Sequence, residues 1–263
     1  MKKTLNQLKL ILLSALIVLV MMGAVRYVRY KDGLPILGYH EVVSDQDKEM
    51  YYKNNIYVMA VSDFEEQMKY LSENHFDTLT MDEINDYYEG KKELKKKSVA
   101  ITFDDGMKSF NTMVKPILEK YKLRATCFVI AHKTELKNTQ EKGKYAYLRK
   151  NDLVNDETVE YYSHSYDLHH KAGMFKKQME VESYEYILDD FRKAEKIVST
   201  KYFAFPYGRS SDNAEKVLKK ENTTLAFGYA QNRNMIRDDN KYLLPRYLMY
   251  DFLPLTIFKW IVA

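Results

Sequence analysis

Cysteine is almost missing from this chain. Cys127 is the single one in 263 residues, so no disulfide can form within it. A domain of this length does not need such staples, and their absence does not exclude an extracellular location. Within Ala125-Thr126-Cys127-Phe128-Val129-Ile130 the thiol reads as a small buried strand residue rather than a nucleophile. A strong excess of one charge is also missing: 41 Lys and Arg stand against 37 Asp and Glu, for a net charge of +4. The basic residues are spread among abundant acids, which argues against a nucleic-acid partner. Tryptophan occurs once, and there is no internal repeat or low-complexity segment. What the chain does have is 46% hydrophobic residues, enough for one large domain with a substantial core. It also has 23 tyrosines, whose flat apolar rings and hydroxyls suit both packing and sugars.

One apolar run stands near the start. Residues 10–25 are apolar or small, with Lys2, Lys3 and Lys9 before them and Arg26, Arg29 and Lys31 after. The run is short for a spanning helix, which needs about 20 residues, but Leu8 and Tyr27-Val28 extend it. Met21-Met22-Gly23-Ala24-Val25 is a poor small-x-small cleavage site. The expectation is an uncleaved signal-anchor, with a transmembrane helix in a segment 1–31, and a cleaved signal peptide as the alternative. The remainder, 32–263, is then an exported catalytic domain: anchored at the cell membrane, or secreted if the signal is cleaved.

Beyond the run, strands alternate with helices. Leu34 to His40 reads as a strand, and 44–57 as an irregular Tyr-rich loop. Ser62-Asp63-Phe64-Glu65 and Thr80-Met81-Asp82-Glu83 read as capping boxes opening two helices, with Gly90 a stop for the second. A strand over 98–103 precedes a helix to about Tyr121 that is kinked at Pro116 or starts late. Strands follow at 124–130, 158–162, 203–205, 225–230 and 243–248. Helices run from Ser183 to about Ile197 and from a cap at Asp212 to about Glu221. The alternation argues for an α/β fold with a largely parallel sheet, whose chemistry gathers at the carboxyl ends of strands.

Residues with chemistry fall at those ends. Thr102-Phe103-Asp104-Asp105-Gly106 follows the apolar Val99-Ala100-Ile101. Side chains alternate along a strand, so adjacent aspartates cannot do the same job. One can hold a metal while the other handles a proton. Further on comes His164-Ser165-Tyr166-Asp167-Leu168-His169-His170. A carboxylate with two histidines is a ligand set for a catalytic metal with an open position. His40 and Pro206 also follow predicted strands.

These motifs resemble those of polysaccharide deacetylases, carbohydrate esterase family 4, also called the NodB-homology domain. The resemblance covers most of 34–250 and is nearest the branch that deacetylates poly-N-acetylglucosamine in biofilms. It implies a distorted (β/α) barrel, here preceded by the N-terminal transmembrane helix, and a metal-dependent amide hydrolysis. By resemblance, Asp105 is the metal-binding carboxylate and Asp104 the general base that takes a proton from metal-bound water. His164 and His169 are the metal histidines, with His170 in place of His169 as an alternative. They lie five positions apart, as in the biofilm branch, where most of the family spaces them by four. The metal implied is Zn²⁺, with Co²⁺, Ni²⁺ or Mn²⁺ as alternatives.

Phe205-Pro206-Tyr207-Gly208 resembles the motif whose Tyr backbone N–H holds the oxyanion. The family's Arg two residues before that Pro is replaced by Ala204, and Arg246 is a candidate substitute for orienting the base. No histidine follows His170, but Gly38-Tyr39-His40-Glu41-Val42 resembles the biofilm branch's early histidine motif, which makes His40 the general acid. The partners implied are an N-acetylated aminosugar polymer, the membrane through the N-terminal helix, and exopolysaccharide synthesis machinery. The competing functions are peptidoglycan N-acetylglucosamine deacetylation, acetyl-xylan esterase activity, and a noncatalytic polysaccharide-binding assembly protein.

Overall fold

The computed structural model describes residues 30–136, 143–231 and 233–263, together with Leu13, Ser14, Met21 and Val28. Twelve strands are described. They are β1 (Ile36–Tyr39), β2 (Glu41–Val43), β3 (Val58–Ala60), β4 (Asp77–Thr78), β5 (Ser98–Phe103) and β6 (Ala125–Val129). The rest are β7 (Val159–Ser163), β8 (Lys171–Ala172), β9 (Lys176–Lys177), β10 (Tyr202–Ala204), β11 (Leu225–Phe227) and β12 (Tyr247–Leu248). The main sheet runs β11-β10-β7-β6-β5-β1-β12, with β4 also paired to β5, and its pairings are parallel. The sheet curls until its ends meet. The Leu244 N–H donates to the Ala226 carbonyl at 2.8 Å, and the Gly228 N–H donates to the Leu244 carbonyl at 2.8 Å.

The alternation of side chains gives the curled sheet an outer and an inner buried face. All six residues of β5 are buried, as expected of a parallel strand covered on both faces. Val99, Ile101 and Phe103 pack outward with Phe64, Met68 and Leu71 of a helix. Ala100 packs inward with Phe128, Tyr162, Tyr202 and Phe227 from the other strands. Cys127 is fully buried on the outward set, and burial pushes its thiol well up. It is a core residue.

The helices are α1 (Asp45–Tyr51), α2 (Val61–Glu73), α3 (Met81–Tyr88), α4 (Lys115–Tyr121), α5 (Gln178–Val181), α6 (Tyr184–Glu195), α7 (Asp212–Lys220) and α8 (Leu255–Val262). Three local expectations need correction. The loop 44–57 contains α1, capped by Ser44, whose hydroxyl accepts from the Asp47 N–H at 3.0 Å. Helix α2 begins at Val61 with Ala60 as N-cap, so Ser62 lies inside the first turn and bonds Asp45 instead. Helix α7 is capped by Ser211 rather than Asp212, the Ser211 hydroxyl accepting from the Ala214 N–H at 3.2 Å. Pro116 sits in the first turn of α4, directly after a π-helical turn over Phe110–Val114, so the helical register changes where its missing N–H would break the ladder. The capping box at Thr80 forms as expected.

The N-terminal expectation is also corrected. Among the described residues no helix is long and apolar enough to cross a membrane. The transmembrane helix, the membrane partner and the anchored localisation all rested on the run 10–25, which alone falls short of a span. Most of that run lies outside the described residues.

The two serine/threonine motifs separate in a stability measurement. Thr80→Ala lowers stability by about 1 kcal/mol, the worth of a lost N-cap. Ser62→Ala, which is exposed and caps nothing, stays within about 0.5 kcal/mol. Urea midpoints of the two variants check this.

Candidate active site

The inward alternation continues one step past the strand ends and builds the site. His40 follows β1, Asp104 follows β5 and His164 follows β7, each at the parity of the inward residues before it. Tyr229 follows β11 at the same parity, and Arg246 precedes β12. Asp104 continues the sheet, its N–H donating to the Tyr39 carbonyl at 2.9 Å.

Asp104 and Arg246 form a buried two-pronged pair, 1% and 0% exposed. Arg246 Nη1 donates to Asp104 Oδ1 at 2.7 Å and Nη2 to Oδ2 at 2.8 Å. Nη1 also donates to Thr102 Oγ1 at 3.0 Å, and Nε to the Gly228 carbonyl at 3.2 Å. The Tyr229 hydroxyl donates to Asp104 Oδ2 at 2.7 Å, and the guanidinium lies over the Tyr229 ring at 4.4 Å. Burial by itself would raise the carboxyl pKa, but Arg246 and then His164 outweigh it. Asp104 is held well below the usual carboxylate range.

Asp105 goes another way. Its backbone is left-handed, with φ 73, which turns its side chain off the strand's alternation. Its Oδ1 is buried without a hydrogen-bond partner and faces His164 Nε2 at 3.6 Å and His169 Nε2 at 3.4 Å. One ligand atom from each residue lies within 4.8 Å of the others. His164 Nδ1 is 2.8 Å from the Ala204 carbonyl, which can only accept, so Nδ1 carries the proton and Nε2 a lone pair. Burial lowers the His164 pKa to about 4, keeping it a neutral ligand near pH 7. An orphaned carboxylate oxygen and two imidazole nitrogens fit a divalent cation.

The loop carrying both histidines is held from behind. Asp190 on α6 accepts from the Tyr166 N–H at 2.9 Å and the Asp167 N–H at 2.7 Å. Burial pushes its carboxyl up to about 6. Tyr207, itself left-handed at φ 57, stacks on His169 at 4.2 Å. His170 is turned out, 3.2 Å from Asp167, and does not join the cluster. His40 has a buried Nδ1 without a partner and lies beside Tyr229, ring to ring 6.3 Å apart. Asp105, His169, Tyr207 and His40 line one cleft of about 720 Å³.

Sequence reasoning missed Tyr229 and Asp190. Tyr229 carried a signal, an inward position just past a strand. Asp190 carried a weaker one, an acid on the apolar stripe of α6 between Ile187 and Phe191.

An Asp-His-His cluster beside a buried carboxylate, at the mouth of a curled parallel α/β sheet, defines a metal-dependent hydrolase. The comparisons narrow the class. The polysaccharide deacetylase family model matches residues 91–226. A poly-beta-1,6-N-acetyl-D-glucosamine N-deacetylase of Staphylococcus aureus is 30% identical over 202 residues, 74% of this chain and 69% of that protein. A protein of the same name from Staphylococcus epidermidis is 26% identical over 270 residues, 92% of each. The structure of IcaB from Ammonifex degensii superposes with a TM-score of 0.71 at 25% identity, over 88% of this chain and 98% of that one. The chain belongs to the polysaccharide deacetylase family. It is a metal-dependent enzyme that hydrolyses amide-linked acetyl groups.

Two measurements test the metal site. Elemental analysis after dialysis finds His170→Ala retaining its metal and His169→Ala losing it. The pH dependence of stability has a definite sign in the metal-free protein. The folded value of His164 (about 4) lies below its ordinary 6.5, so between these the unfolded chain binds more protons. His164 therefore contributes stability above 6.5 that is lost as pH falls toward 4. Urea midpoints across this range show a shallower acid loss in His164→Gln than in the wild type.

Proposed function

We propose that this enzyme removes N-acetyl groups from an N-acetylhexosamine exopolysaccharide of the poly-N-acetylglucosamine type. The catalytic domain is 32–263. The observation that carries the reading is the orphaned Asp105 Oδ1 facing two imidazole nitrogens, with a second, fully paired carboxylate on the preceding residue. The names of the staphylococcal relatives support the substrate.

Asp105, His164 and His169 hold the metal, which we propose to be Zn²⁺ from the mixed oxygen and nitrogen donors. A divalent cation there would supply Lewis acidity, polarising a carbonyl and lowering the pKa of water to about 7. Asp104 takes the proton of the attacking water, and its charge persists at neutral pH because Arg246 holds it ionised. Arg246 aims that carboxylate by gripping both oxygens, a fork a lysine cannot reproduce. The Tyr207 backbone N–H binds the developing oxyanion. His40, across the cleft, gives a proton to the departing amine, which leaves as a free amino sugar with acetate as co-product.

Acetate release decides the reading. Poly-N-acetylglucosamine gives acetate, a chelator stops it and added Zn²⁺ restores it, whereas peptidoglycan gives little. Asp104→Asn lowers kcat by at least about 10²-fold. Release from peptidoglycan alone would move the substrate to the cell wall, and full metal-dependent activity in Asp104→Asn would remove Asp104 from the chemistry.

A further inference from the structure

The Tyr229 side chain stands between groups that the proposed reaction uses. Its hydroxyl donates to Asp104 Oδ2 at 2.7 Å, its ring carries the Arg246 guanidinium at 4.4 Å, and the His40 ring lies nearly parallel to it, 6.3 Å away at 18°. Two glycines make room for it. A Cβ on Gly38, two positions before His40, would come within 2.7 Å of Tyr229 Cε1 and of its hydroxyl. A Cβ on Gly208, directly after Tyr207, would come within 2.7 Å of Tyr229 Cδ2. The backbone on either side is pinned to the segment before β12. The Gly228 N–H donates to the Leu244 carbonyl at 2.8 Å, and the Ala230 N–H to the Arg246 carbonyl at 2.9 Å. We propose that Tyr229 is a positioning residue for the deacetylation: its hydroxyl leaves Asp104 a single oxygen with which to take a proton, and its ring sets the spacing between the His40 strand and the Tyr207 turn. The inference rests on the reading of Asp104 as the base and deepens it.

The donors on Asp104 carry the first half. A carboxylate offers about four lone-pair positions, shared equally between its oxygens. Oδ2 accepts from Arg246 Nη2 at 2.8 Å and from the Tyr229 hydroxyl at 2.7 Å, which fills its share. Among the described residues Oδ1 accepts from Arg246 Nη1 alone, at 2.7 Å, and keeps a lone pair free. Arg246 grips both oxygens alike and cannot tell them apart, whereas the hydroxyl can. A base must lie within hydrogen-bond reach of the proton it takes, so choosing the oxygen fixes the line along which the water approaches. The two glycines carry the second half. One ring fills the space left by both missing Cβ atoms, so the strand leading to His40 and the turn carrying the Tyr207 N–H cannot close on one another. A rigid apolar ring with a polar tip suits both tasks. Misplacing a reacting group by about 1 Å costs on the order of 10²-fold in rate, so such a spacer matters to the chemistry.

The test is acetate release by the metal-loaded enzyme from a β-1,6-linked N-acetylglucosamine hexamer, with kcat and KM separated. Tyr229→Phe keeps the ring and lowers kcat by about tenfold or more, the worth of one hydrogen bond to a charged group, while KM and bound metal stay at their wild-type values. Tyr229→Ala lowers kcat further. Gly38→Ala lowers kcat in the wild-type background by pushing on the ring, and lowers it no further in Tyr229→Ala, where no ring is left to push. A wild-type kcat in Tyr229→Phe, or a fall in kcat matched by lost metal, overturns the role of the hydroxyl. Losses that multiply in the Gly38→Ala, Tyr229→Ala double variant overturn the role of the ring. Full activity in Asp104→Asn overturns the base reading, and the positioning of that base with it.

Discussion

The Asp104–Arg246 pair is the constraint on which this structure turns, because it closes the sheet and arms the site at once. Arg246 comes from the segment that meets β11, and its Nε donates to the Gly228 carbonyl just past that strand. Its other nitrogens reach Thr102 and Asp104 at the end of β5. Thr102 Oγ1 in turn donates to the Leu37 carbonyl of β1. One guanidinium thus links the closing edge of the sheet to two of its central strands. A buried pair of this kind gains little over apolar packing, since desolvating two charges offsets most of their attraction. Removing one partner is another matter and costs about 3–5 kcal/mol. The pair is therefore poorly explained as a stabilising device. It is well explained as a means of keeping one carboxylate ionised, aimed and dry.

The same pair explains how two adjacent aspartates come to differ. Asp104 keeps the strand's extended path and meets Arg246 and Tyr229 inside the barrel. Asp105 turns through a left-handed conformation that costs an ordinary residue about 1–2 kcal/mol, and emerges into the cleft. Ser165, beside His164, is also left-handed, at φ 74. Strain is concentrated where ligands must leave the alternation of their strands, and the turn after each is fastened by neighbours. Gly106 packs against Val129, and Asp190 takes the amides after Ser165.

Much of this was legible in the sequence because alternation is a short-range code. The apolar run before Asp104, the strand before His164 and the box at Thr80 each announce themselves within a few residues. Arg246 was suggested by the missing Arg at Ala204, yet its reach to Asp104 depends on sheet closure, which no local pattern encodes. Tyr229 and Asp190 were missed for the same reason: each acts across the fold, on groups 125 and 23 or 24 positions away in sequence. The α1 segment was misread because its polar, Tyr-rich composition hides a short helix with no buried face, held by the Ser44 cap and by Lys48 donating to the Tyr52 and Asn55 carbonyls rather than by an apolar stripe. The N-terminal expectation failed as a structural statement because it rested on hydropathy alone.

Closure also accounts for how His40, the proposed proton donor, reaches the site from so early in the chain. In an open sheet a residue just past β1 could lie far from the end of β5 if several strands stood between. Here β1 sits between β5 and β12, with Gly38 opposite Thr102 and Tyr39 opposite Phe103. One step further along that register, His40 stands beside Asp104. On its other flank Gly38 pairs with Leu248, two residues past Arg246. Asp104, Arg246 and His40, the proposed base, base-orienting cation and proton donor, therefore come from three neighbouring strands, although 206 positions separate the first from the last in sequence. Only Gly fits at 38, where a Cβ would meet the Tyr229 ring at 2.7 Å. The early histidine thus reaches the site as a consequence of which strands are neighbours, β1 lying between β5 and β12.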